Sequence, residues 1–170
     1  HTTASDGSLS PDLLIAKAKE HGIQLLAITD HDTVAGLSEA RRAAQAFGVE
    51  FVTGIEISCS WGKHDVHIVG LDFDETHQSI IDATSTLETI RVDRAHKIAK
   101  RLQRLGYGDV LTQLKIEHGT DKLSRPHFAK FLVENGICRD ERRAFRQYLT
   151  YGKPAYVKSN WPSMASAIAW

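Results

Sequence analysis

The sequence predicts an α/β protein carrying an inserted helical subdomain. Short apolar runs alternate with helical periods through residues 1–74, and the character turns helical over 75–153. The last stretch, 154–170, begins to return to the first pattern. Hydrophobic residues make up 42% and charged residues 25%, an ordinary globular composition that excludes disorder, collagen and coiled coil.

Each element has a local reason. Ser10-Pro11-Asp12 supplies an N-cap, a first-turn proline and a carboxylate at the positive end of the dipole. Leu13, Leu14, Ile15, Ala16 and Ala18 continue that helix until Gly22 stops it. Residues 24–29 form a buried-strand run, and the polar turn Asp30-His31-Asp32 follows. A second helix is expected over 36–47, ended by Gly48, then strand over 49–53 and more β-rich sequence to Ser60. Trp61-Gly62-Lys63 reads as a turn and 65–71 as another strand. Such alternation points to βαβ units around a parallel sheet or barrel.

Helical periods then cover 78–105, 109–118, 126–135 and 139–149, three of them closed by Gly106, Gly119 and Gly136. A loop spans 150–154, and 161–170 begins a further helix. The three parts are therefore 1–74, an inserted subdomain over 75–153, and an incomplete return over 154–170. The chain opens on His1 and stops within a helical pattern at Trp170, so it reads as an internal piece of a longer protein.

Lys+Arg and Asp+Glu number 21 each, so no basic excess announces nucleic acid. Only Cys59 and Cys138 occur, which argues against a disulfide framework and for a reducing cytoplasm. No apolar run approaches the roughly 18 residues needed to cross a membrane, and no obligate protein partner is evident. Nine histidines stand out. They direct attention to metal or acid–base chemistry.

Four polar clusters fall where α/β folds place active sites, at strand ends and the loops after them. They are His1 with Asp6, the turn Asp30-His31-Asp32, Glu56, and His67. Taken singly, His67 reads as a satisfied strand histidine and residues 30–32 as a turn with capping aspartates. Glu56 resists a plain reading, because a carboxylate between Ile55 and Ile57 is costly to bury unless paired or metal-bound. Together the clusters make an N/O ligand set without thiolate, suited to Mn²⁺, Zn²⁺ or Fe²⁺ rather than Ca²⁺. Ligands from several strand ends suggest more than one metal, with a carboxylate to bridge. Such sites polarise a phosphoryl oxygen and lower the pKa of a bound water, which slow phosphate-ester hydrolysis requires.

His1-Thr-Thr-Ala-Ser-Asp6-Gly7, Thr29-Asp-His31-Asp, Gly54-Ile-Glu56 and His67-Ile-Val-Gly70 resemble, in order and spacing, the PHP (polymerase and histidinol phosphatase) domain family. Ser124-Arg125-Pro-His127-Phe and Tyr148-Leu-Thr-Tyr-Gly152-Lys-Pro-Ala-Tyr156 resemble one branch, the 3′,5′-nucleotide bisphosphate phosphatases, members of which also trim short RNA as 5′→3′ exonucleases. The resemblance implies part of a distorted (β/α)7 barrel with a helical insertion. It also implies a centre of up to three ions, Mn²⁺ first, with Zn²⁺ or Fe²⁺ as alternatives. By this resemblance His1 is the second histidine of a His-x-His motif, and Asp6 and His31 hold one metal. Glu56 bridges two, and His67 binds the second. Glu56, His67 and His31 are the candidate catalytic residues. The first histidine of His-x-His is expected before His1, and the later His-Pro and Asp-x-His motifs beyond Trp170. The 170-residue chain alone is accordingly expected to be inactive.

A bisphosphorylated substrate needs cations besides the metals. Arg125 and His127 open a helix whose N-terminus favours an anion, and Lys153 lies in a Gly-Lys-Pro loop. Read without the resemblance, Ser124 is an N-cap, Pro126 a first-turn proline and Arg125 a solvated charge. With it, Ser124, Arg125, His127 and Lys153 become substrate-binding residues. Arg91, Arg94, Lys97, Arg101 and Arg104 share a helical face; a solvated stripe is the plainer reading, and steering of RNA the sharper one. His21, His64, His77, His96 and His118 read as surface or helix-end residues, and Trp61 as structural.

The expected function is metal-dependent hydrolysis of the 3′-phosphate of nucleoside 3′,5′-bisphosphates, with short 5′-phosphorylated RNA as a further substrate. The rivals are a phosphatase for another small monoester, such as histidinol phosphate, and a non-catalytic PHP module of a larger nucleic-acid enzyme.

Overall fold

A computed structural model describes residues 1–170. The chain divides into two compact units, His1–Glu88 with Trp161–Trp170, and Thr89–Asn160.

In the first unit, Ser10 is extended and Pro11 occupies the opening position of α1 (Pro11–Glu20). β1 (Leu25–Ala27), α2 (Leu37–Phe47) and β2 (Glu50–Val52) form one βαβ unit, with β1 and β2 parallel and Leu26 opposite Phe51. Gly48 ends α2 in the left-handed conformation, where a Cβ is penalised. Ile15 of α1, Ile28, Val49, and Leu37, Ala40 and Ala44 of α2 are buried together beneath this unit.

β3 (Gly54–Trp61) and β4 (His64–Leu71) depart from the expected all-parallel arrangement: they pair antiparallel as a hairpin around Gly62. The physical reason is length, since the two turn residues Gly62 and Lys63 can reverse a chain but cannot make a parallel crossover. The two two-stranded sheets meet through a single bridge between His31 and Glu56, and they do not close into a barrel. Trp61, expected to be structural, lies at the hairpin tip with 65% of its surface exposed.

The final helix is shorter than 161–170. Residues 161–163 run extended beside β3, where the Ser60 N–H donates to the Pro162 carbonyl at 2.8 Å. Ser163 then caps α7 (Met164–Ile168), its Oγ accepting the Ser166 N–H at 3.0 Å.

α3 (Gln78–Arg104) runs from the first unit into the second. There Ala95, Ile98, Ala99 and Leu102 line its buried side and join Val110 and Leu114 of α4 (Val110–His118) and Phe128 and Leu132 of α5 (Arg125–Glu134) in one core. The expected single helix over 139–149 is α6 (Glu141–Ala144) followed by one π turn, Phe145–Leu149. Cys59 and Cys138 are free and buried, and burial pushes both thiols up, so neither is a nucleophile at neutral pH. No helix is long and apolar enough to cross a membrane.

Candidate metal centre

The site begins with a buried clamp. Asp30, at the end of the β1 segment, accepts the Thr2 N–H at 2.5 Å, the Thr2 hydroxyl at 2.6 Å and the Ser5 hydroxyl at 2.8 Å. These bonds hold the first turn of chain against β1 and set His1 over the sheet. Gly7 completes the turn: a Cβ there would meet the His1 carbonyl oxygen at 2.2 Å, so no larger residue fits. Sequence alone singles out neither Thr2 nor Ser5; their hydroxyls carry no signal until the fold brings them to Asp30.

The loop after β1 is registered against β3. The Glu56 N–H donates to the Asp30 carbonyl and the Asp32 N–H to the Glu56 carbonyl, each at 3.0 Å. Asp32 adopts a φ of 56°, which Asp tolerates, and its Oδ1 accepts the Ser58 N–H at 2.6 Å. Asp30 and Asp32 are thus buried braces on either side of His31, whose ring enters the cluster, and Asp30 Oδ1 also stands 3.9 Å from His1 Nδ1.

Five side chains converge there. His1 Nε2 lies 3.0 Å and His31 Nδ1 3.7 Å from Glu56 Oε2, while His67 Nδ1 lies 2.6 Å from Glu56 Oε1. Asp6 Oδ2 stands 3.9 Å from His31 Nε2, on the ring edge away from Glu56. The His1 and His31 rings stack at 4.2 Å, and the edge of His67 meets His31 at 4.9 Å. Three imidazoles around one carboxylate are a poor structural core and a good ligand field. Donor atoms of His1, His31 and Glu56 all lie within 4.8 Å of one another. Their chemistry, nitrogen and oxygen without thiolate, fits a divalent metal ion.

The residues expected to bind substrate lie in the second unit. At the start of α5, the Ser124 N–H donates to His127 Nδ1 at 2.9 Å, so His127 takes the place a Glu or Gln usually fills in a capping box. It is buried, with its ring 4.5 Å from that of His118. The Arg125 guanidinium lies 5.9 Å from the Phe145 ring centroid. Lys153 is exposed in a turn closed by its N–H to the Thr150 carbonyl at 3.0 Å.

The family model for the PHP domain matches residues 1–148. The chain belongs to the PHP domain family. Among PHP relatives, a 5′-3′ exoribonuclease of Haemophilus influenzae is 39% identical over 168 residues, covering 99% of this chain and 61% of the relative. A 3′,5′-nucleoside bisphosphate phosphatase of Chromobacterium violaceum is 39% identical over 171 residues, covering 100% of this chain and 60% of the relative. The chain also superposes with a TM-score of 0.93 on the solved structure of an amidohydrolase from Chromobacterium violaceum with bound sulfate and no metal, 38% identical over 100% of this chain and 60% of the other. The PHP chain described here spans about three fifths of the length of these relatives.

Proposed function

We propose that the PHP chain is the metal-binding part of a phosphoesterase that removes the 3′-phosphate from nucleoside 3′,5′-bisphosphates and trims short 5′-phosphorylated RNA from its 5′ end. One observation carries the reading: Glu56 meets His1 and His31 through one oxygen and His67 through the other. The printed functions of the two relatives support the substrate class.

His1, Asp6, His31, Glu56 and His67 would hold divalent ions, Mn²⁺ first, with up to three in the full-length protein and Zn²⁺ or Fe²⁺ as alternatives. Such ions supply Lewis-acid polarisation of a phosphoryl oxygen and a water of lowered pKa. The chain's own residues do the positioning. Glu56, with two oxygens in use, spaces the ligands on its two sides. Asp30 holds His1 in register, and Asp6 stands at the ring edge of His31 opposite Glu56, where Asp6 and His31 would share an ion. Arg125, a planar fork, and Lys153, a mobile point charge, would hold the substrate's second phosphate. His127 supports them by capping α5, with Ser124 as its partner. The two small sheets would form the opening part of a distorted (β/α)7 barrel, and the free buried thiols suit a reducing cytoplasm.

The test is phosphate release from adenosine 3′,5′-bisphosphate by the full-length protein with Mn²⁺, beside its Glu56→Gln variant. Rapid release that the variant loses is expected. No release from a protein that still binds metal would move the assignment to other phosphate esters.

A further inference from the structure

The second unit contains a pocket of about 220 Å³, lined by Ile90 and Val157 as well as by charged and polar side chains, that the metal centre does not use. One wall is the α3 stretch carrying Asp93, Arg94 and Lys97; the other is the extended segment carrying Lys158, Ser159 and Asn160. Arg94, Lys97 and Lys158 line the pocket together with Asp93. Lys97 Nζ lies 2.5 Å from Asp93 Oδ2 on the exposed side, so this lysine is held at the rim, and Lys158 is exposed beside it. Ser159 is the unusual member. It is only 5% exposed, and its Oγ has no hydrogen-bond partner. A buried hydroxyl left in that state costs free energy until an acceptor reaches it.

We infer that this pocket binds a phosphate group. Its volume falls below the roughly 300–1,000 Å³ of sites for whole organic ligands, so it takes a small group and not a nucleoside. A carboxylate needs one cation. A phosphate, with more charge and more acceptor oxygens, matches two lysines and an arginine supplemented by the neutral donors of Ser159 and Asn160. Arg94 and Lys97 belong to the basic stripe of α3, which this pocket converts from a solvated face into one wall of an anion receptor. In an enzyme acting on RNA, the phosphate would come from the strand's backbone. That source rests on the proposed function; the pocket's preference for phosphate does not.

The test titrates the full-length protein with a labelled 5′-phosphorylated oligoribonucleotide, and separately with inorganic phosphate as competitor. Chelator is present throughout, so the titration reads the pocket while the metal centre is silent. Lys158→Ala should weaken oligonucleotide binding about tenfold and reduce the salt slope by about one. Ser159→Ala, which removes no charge, should weaken it about threefold with the slope unchanged. Arg104→Ala, on α3 outside the pocket, should change affinity less than about twofold. If Lys158→Ala and Ser159→Ala behave like Arg104→Ala, the phosphate site is overturned, whatever the outcome for hydrolysis. Oligonucleotide binding far tighter than that of inorganic phosphate, both dependent on Lys158, assigns the site to the RNA backbone. Equal affinities assign it to free phosphate.

Discussion

Glu56 and His67 face each other diagonally across the β3–β4 hairpin, with His67 Nδ1 2.6 Å from Glu56 Oε1. The register explains the meeting: Glu56 pairs with Val69 and Ser58 with His67, so both side chains leave the same face of the sheet two positions apart. Slipping the hairpin by one residue would send one of them to the opposite face. The antiparallel pairing thus supplies two of the five side chains of the cluster.

Glu56→Gln keeps the shape and removes the charge that the three imidazoles share. Bound metal should fall, and phosphate release with it, by about 100-fold or more. Metal analysis of the purified variant alongside the rate checks this; unchanged metal and rate would show that Glu56 is no ligand.

Asp30→Ala removes the acceptor for three donors and leaves the Thr2 N–H buried without a partner. The expected loss of stability is about 2–4 kcal/mol by chemical denaturation. Because the same bonds seat His1, metal affinity should fall in the variant even under conditions where it stays folded.

Gly54→Ala and Gly62→Ala separate two reasons for glycine. A Cβ at Gly54 would lie 2.6 Å from the Ile28 carbonyl oxygen, whereas Gly62 has open space and a φ of +60°. Alanine should cost about 1–3 kcal/mol at the first through overlap with backbone, and about 1 kcal/mol at the second through left-handed strain. Only Gly54→Ala should disturb the metal centre, since it pushes β3 away from the β1 segment. Paired thermal melts and metal titrations measure both effects.

The helix caps of the second unit set an acid limit. Asp109 accepts from Thr112 and Asp140 accepts from the Arg143 N–H, and these hydrogen bonds hold both carboxyls below the usual carboxylate range. A depressed folded-state pKa adds stability that is present above the unfolded value and lost as pH falls through the lowered one. The melting midpoint should therefore decline below about pH 4. Asp109→Asn and Asp140→Asn, which still cap but cannot titrate, should flatten that decline; an unchanged acid limb would remove the caps as its cause.

Much of this architecture can be read along the chain. Ser10-Pro11 and Gly48 mark helix ends where the dihedral angles demand them, and the apolar spacing of Ile98 and Leu102 marks the buried side of α3. His1, Asp6, His31, Glu56 and His67 stand out jointly, through four motifs whose order and spacing resemble the family; taken singly, His67 within a strand and residues 30–32 in a turn have ordinary structural readings. The errors have one cause. The direction of β4, the extended run over 161–163 and the exposure of Trp61 depend on which neighbour a segment meets, and local periodicity is the same in either case.

Residue order alone dictates the α/β alternation, the caps, and the kinds of ligand available for a metal. Those follow from backbone preferences and donor chemistry, which act over a few residues. Tertiary structure decides the rest: that Asp30 and Asp32 are braces while His31 between them faces the cluster, and that Glu56 lies within reach of three histidines. It also decides that Ser159 closes a cationic pocket. Hydrogen bonds and ligand fields act over about 3 Å, and only the folded chain brings residues dozens of positions apart within that range.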